Sequence, residues 1–267
     1  MAIPGTGGVY RMSTALKFSD RHNLIFDGNG ATLVSTGNGQ QESSLFRVMT
    51  GNAGITIRNF TLIGNSPTPG VLDEAQQWAY GVEVLGINVE IANVTISAVY
   101  GDGVLTDSPA SGVWFHDSHV VSAGRNGVAV LGGDNITIER VTLDKSGYCT
   151  FDIEPWVSTG VATNVKFLNN TAGTWSNAFM AAGGIAGSVV SGVTVSGNKV
   201  TGVSLLTVID LARRQNVVFT NNTSTAQAAG PVLRFAHIDG LTVTGNIQPL
   251  KSGGLASVTD STGVTYP

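Results

Sequence analysis

Residues 55–64 read ITIRNFTLIG, and residues 89–98 read VEIANVTISA. Each has an apolar–X–apolar start, a polar turn at Asn, and a second short alternating run. The period is two, so these are half-buried strands and not helices. The same phrase recurs from end to end: LIFDGNGATL from Leu24, VWFHDSHVVS from Val113, ITIERVTLDK from Ile136 and VKFLNNTAGT from Val165. VTVSGNKVTG from Val193, VVFTNNTSTA from Val217 and LTVTGNIQPL from Leu241 complete it. Successive starts are 31, 34, 24, 23, 29, 28, 24 and 24 residues apart. A repeat of that length, rich in β-branched residues and without helical stretches, predicts stacked coils of short strands and turns. Leucine-rich repeats would need regular Leu and Asn/Cys columns, and propeller blades nearly twice the length. The expected fold is all-β: a single-stranded right-handed parallel β-helix of about nine coils, one domain over residues 1–267.

Composition agrees. Of 267 residues 35 are Gly and only 12% are charged, so many positions tolerate unusual backbone angles. The net charge of −4, with no Lys/Arg run, argues against nucleic-acid binding. No apolar run reaches membrane-spanning length, so no membrane insertion is expected. The N-terminal stretch MAIPGTGGVYRMS lacks the features of a Sec signal peptide. Residues 8–18 already read as strand and turn. The single Cys149 cannot form an internal disulfide and reads as a small buried filler. Asn columns (Asn29, Asn170, Asn198, Asn222, Asn246, and before them Asn59, Asn93, Asn169, Asn221) read as structural ladders at a turn.

Function should sit where the coil opens out. Residues 64–80 carry Pro67, Pro69 and Gly70 and form a projecting excursion that ends in Trp78 and Tyr80. Residues 147–156, GYCTFDIEPW, set Asp152 and Glu154 beside Trp156, and Trp175 follows in another lengthened interval. Aligning 82–84, 128–130 and 151–153 points Val, Phe and Ile inward and sends Glu83, Asp152 and Glu154 to one outer face. Asp102 and Arg125 enter that face from the adjoining turn; Asp210 and Arg234 belong to the same sheet further along. The reading is a groove with a carboxylate floor and an aromatic rim. Trp faces suit the apolar faces of sugar rings, and paired carboxyls suit general acid–base work. Asp152 and Glu154, alternate residues on one strand, lie about 6.6 Å apart, near the lower edge of the inverting range of ~6.5–9.5 Å. Glu83, taken as two coils away, would lie at about 9.6 Å. Asp152, Glu154 and Glu83 are thus the candidate catalytic residues, and Asp102, Arg125, Trp78, Tyr80, Trp156 and Trp175 the candidate substrate-binding ones. The same charges also read as an ion-pair patch. His116 and His119 lack a convincing third ligand; neither a metal nor a cofactor is expected.

SAGRNGVAVLGGDNITIERVTLDKSGYCTFDIEP resembles the pectin-lyase-like β-helix proteins of actinobacteria and their phages, including minor tail and tailspike-type proteins. These carry G-R-x-G-I/V, N-V/I-T-I and D-I/L-E-P segments, and the likeness covers residues 81–156 closely. The resemblance implies the fold, a polysaccharide partner, and a site at Arg125, Asp152 and Glu154, with Asp102 beside them. It also implies a virion or, after release, an extracellular setting. Two functions stay open: cleavage of a surface polysaccharide, by hydrolysis or elimination, and glycan binding by a phage-tail component, as a homotrimer in that reading. Polygalacturonase-like N-T-D, Asp-Asp, G-H-G and R-I-K motifs are missing, and Tyr148, Phe151 and Asp152 match an epimerase Y-G-F-D-P-H pattern only loosely.

Overall fold

The computed structural model describes residues 7–210 and 212–266. It is a right-handed parallel β-helix of about ten turns. All nine repeat starts fall in one column of the larger sheet, Leu24 beside Ile55 beside Val89 and so on to Leu241. Val264 adds one more copy, which the sequence pattern missed. At the other end Val9–Met12 pairs with the second arm of His22–Ser35, so the residues read as strand and turn are that.

Each turn bends at a residue in the left-handed region: Asn59, Asn93, Asp117, Arg140, Asn169 and Asn221 have φ between 48° and 61°. Asn and Asp reach that region at little cost. One step on, the buried Asn170, Asn198 and Asn222 and the half-buried Asn246 form the expected ladder. Asn170 Nδ2 donates to Asn198 Oδ1 (3.0 Å), Asn198 Nδ2 to Asn222 Oδ1 (2.8 Å), and Asn222 Nδ2 to Asn246 Oδ1 (3.0 Å). Asn29 does not join it. Its strand shifts register between Asp27 and Ala31, and Asn29 takes the left-handed corner position instead (φ 49°).

The second sheet has ten short parallel strands, one per turn. Their inward residues feed a continuous core in which Phe46, Phe151, Phe179 and Phe235 are buried and Phe151 stacks on Phe167 at 4.5 Å. Their outward residues form one column: Lys17, Arg47, Glu83, Leu105, Ala129, Asp152, Ala181, Val208, Arg234 and Ser257. Charged ends thus flank an apolar middle at Leu105 and Ala129. That patch cannot face water cheaply, and the excursion covers it: Tyr80 packs on Leu105 and Ala129, with Trp78 and Leu131 around them. The excursion is pinned along the corner, where Ser66 N donates to Ala98 O, Gly70 N to Ser122 O and Trp78 N to Gly39 O. It passes so close that a Cβ on Gly147 would lie 2.9 Å from Leu72 N and 2.1 Å from Gly124 O. Among the described residues no helix is long and apolar enough to cross a membrane.

Candidate functional site

Arg125 organises the centre. It enters from the turn before Val128–Val130, and its guanidinium is buried among three carboxylates. Nη2 is 3.0 Å from Glu154 Oε2 and 3.9 Å from Asp152 Oδ2; Nη1 is 3.7 Å from Asp102 Oδ2. The Trp156 ring lies 5.4 Å from Arg125 Cζ, and Trp78 meets Trp156 at 5.8 Å between centroids. Arg125, Asp102, Asp152, Glu154, Trp78 and Trp156 therefore assemble as expected from their spacing.

The carboxylates differ by burial. Asp102 is wholly buried; its Oδ1 accepts from Asn126 N (2.9 Å), and Asn126 Oδ1 in turn accepts from Cys149 N (3.0 Å). Burial, partly offset by Arg125, pushes the Asp102 carboxyl up to about 6. Asp152 is 3% exposed and receives Asn126 Nδ2 at 3.4 Å. Burial first, and the Glu154 charge second, push its carboxyl up to about 8 against the pull of Arg125. One cation cannot neutralise three buried or half-buried anions, and Asp152 is raised further than the wholly buried Asp102 because the Glu154 charge adds to its burial. The neutral form of Asp152 is thereby favoured at neutral pH, while the half-exposed Glu154 is bonded to Arg125. Cys149 is the filler expected, its thiol pushed by burial up to about 12.

Four expectations are corrected. Glu83 shares the Asp152 column but stands three turns away, because Val104–Thr106 forms a turn of its own between them. At about 4.8 Å per turn that is roughly 14 Å, not 9.6 Å. Its carboxylate is also occupied by Arg47 and by Gln41 Nε2 (2.6 Å). Tyr80 is buried beneath the excursion rather than offered to a ligand, and burial raises its hydroxyl pKa. Trp175 packs on Phe179 (5.9 Å) against the main core instead of joining the Trp78–Trp156 pair. Asp102 is too buried to touch a sugar and braces Arg125 and Asn126 from below.

The open space lies C-terminal to this cluster. A cleft of about 230 Å³ has Tyr148, Asp152, Glu154 and Asn177 on one wall, the small Ala181, Ala182 and Gly183 as floor, and Val208 and Asp210 opposite. His237 Nδ1 sits 3.2 Å from Asp210 Oδ1. Sequence reading placed Asp210 on this sheet but gave it no role. The missed signal was the Ala-Ala-Gly of the intervening turn, which leaves room between two acidic walls.

The chain matches the family described as "Right handed beta helix region" over residues 45–224 and 108–265. Curated proteins give no match. Among solved structures it is similar to polygalacturonase from Erwinia carotovora ssp. carotovora (TM-score 0.64, 16% identity, 99% of this chain and 76% of that one). It is similar also to endopolygalacturonase I from Stereum purpureum, complexed with two galacturonate (TM-score 0.59, 15% identity, 99% and 92%). A third is the catalytic domain of a GH87 alpha-1,3-glucanase in complex with nigerose (TM-score 0.55, 13% identity, 98% and 64%). Identities this low carry the fold alone; the family match covers most of the sequence, and the chain belongs to the right-handed β-helix family.

Proposed function

We propose that the chain binds a polysaccharide along the outer face of its ten-stranded sheet and hydrolyses a glycosidic bond in the Asp152–Asp210 cleft. The supporting observation is the pair of unlike carboxyl groups lining one cleft: a buried Asp152 whose carboxyl is pushed up to about 8, and an Asp210 beside His237. Asp152 gives its proton to the leaving oxygen. Asp210, two turns further on, activates water from the other side of the ring. In register Asp152 meets Val208 two turns on, and Asp210 lies two residues further along the chain, so the two backbones stand about 12 Å apart by turn spacing and rise. Side chains reaching into the cleft from both walls suit the wider, inverting separation better than the retaining one. Glu154 keeps Arg125 in place and accepts hydroxyl donors of the sugar, and Trp156 offers its exposed face to a neighbouring ring. The polysaccharide-acting β-helices of similar shape support this reading.

The test is product release by Asp152→Asn and Asp210→Asn proteins, each expected to fall about 10²–10⁴-fold, as for loss of a general acid or base. Undiminished release by either variant removes that residue from the chemistry. Binding without cleavage is the second reading, favoured by the salt-bridged state of Glu154 with Arg125; glycan retention by wild type with no product would select it. An extracellular or phage-tail setting rests on the sequence resemblance of residues 81–156.

A further inference from the structure

A second cleft, of about 380 Å³, adjoins the first and shares Val208 and Asp210 with it. Its distinguishing residue is Arg234, exposed in the outward column three turns beyond Asp152. Arg47, Arg58, Arg125, Arg140 and Arg213 each pair with a carboxylate; Arg11, Arg21 and Arg214, like Arg234, show no carboxylate partner among the described residues, but of these four it is Arg234 that lines this cleft. Among the described residues Arg234 pairs with none; its guanidinium makes one long bond, Nε to Pro231 O at 3.5 Å. The nearest acidic lining residue, Asp210, is engaged by His237. The other polar groups of the cleft, Ser257 and Thr259, are neutral.

We infer that this cleft is a subsite for an anionic sugar unit, carboxylated or sulfated, gripped by Arg234, which stands about 14 Å from Asp152 and one turn beyond Val208 of the cleavage cleft by the turn spacing. The inference rests on the glycan reading above. A guanidinium takes a carboxylate or sulfate through two parallel hydrogen bonds, which a neutral hydroxyl cannot match. The net charge of −4 makes the subsite a local exception, so recognition should depend on this one side chain.

The experiment is calorimetric titration of oligogalacturonides and their methyl esters, and of sulfated carrageenan oligosaccharides and their desulfated, neutral galactan counterparts, on an Asp152→Asn background and on wild type. At least one charged form is expected to bind about tenfold or more tightly than its neutral counterpart, the size of one charge-assisted contact. Arg234→Gln is expected to erase that ratio and Arg234→Lys to keep part of it. Whether the carboxylated or the sulfated series shows the ratio identifies the anion. A charged-to-neutral ratio near one in every series, or a ratio untouched by Arg234→Gln, overturns the inference. If wild type discriminates through Arg234 yet releases no product, the hydrolytic reading fails and the subsite stands.

Discussion

Replacing Asp152 by Asn keeps the shape of the side chain and removes its proton equilibrium. In the folded protein the carboxyl moves from 3.8 to about 8, so the native state holds this proton more tightly than the unfolded chain does. The stabilisation is therefore fully present below pH ~4 and is lost as pH rises toward ~8, with a slope approaching 1.4 kcal/mol per pH unit. Between pH 5 and 7.5 that amounts to roughly 3 kcal/mol, carried by this one residue. Asp102, raised to about 6, adds a parallel loss at the lower end of the window in both proteins. Urea unfolding across this pH range is the assay. Wild type should lose stability steadily; Asp152→Asn should follow a shallower course and become the more stable protein above neutrality. Two parallel curves would show that Asp152 is ionised throughout and that the assignment of the acid is wrong.

Other outcomes follow from the same geometry. If Asp152 is the proton donor, the turnover rate should fall as pH rises through about 8, seen in a pH profile of kcat. Asn198→Ala removes bonds to Asn222 Oδ1 and Phe167 O and an acceptor for Asn170, and should cost about 3–4 kcal/mol in denaturant melts. Gly147→Ala drives a methyl into Gly124 O and the excursion at Leu72, and should cost about 1–3 kcal/mol and raise proteolysis within residues 64–80. Trp156→Ala uncovers Arg125 and should weaken glycan affinity by about 1–2 kcal/mol in titrations, with little change in the unfolding midpoint.

The fold was legible because it is periodic: a solenoid writes its column at every turn, and all nine starts landed in register. The edges were less so, since a terminal turn such as that at Val264 has only one neighbour and is freer in sequence. At the site, Asp152, Glu154, Arg125, Trp78 and Trp156 were recoverable from alternation and spacing. Glu83 was misplaced by a turn because the alignment passed over Val104–Thr106, which carries no charged marker. Tyr80 and Trp175 were misread because an aromatic residue in a loop can serve as cover or as contact; the choice depended on whether Leu105, Ala129 and Phe179 needed shielding. Asp210 went unassigned because its significance lies in the alanines and glycine between the walls, residues that announce nothing by themselves.

The outward column that runs from Asp152 to Arg234 is also a ruler. Every turn advances it by one strand width, about 4.8 Å, whatever the length of the intervening loops. Insertions between strands can alter the rim without shifting the graduation, whereas excision of one whole turn between residues 152 and 234 would bring the two marks closer by a single step. Selectivity for where along a polymer the cut falls, relative to a charged unit, would then be inherited in quanta of one coil rather than tuned continuously.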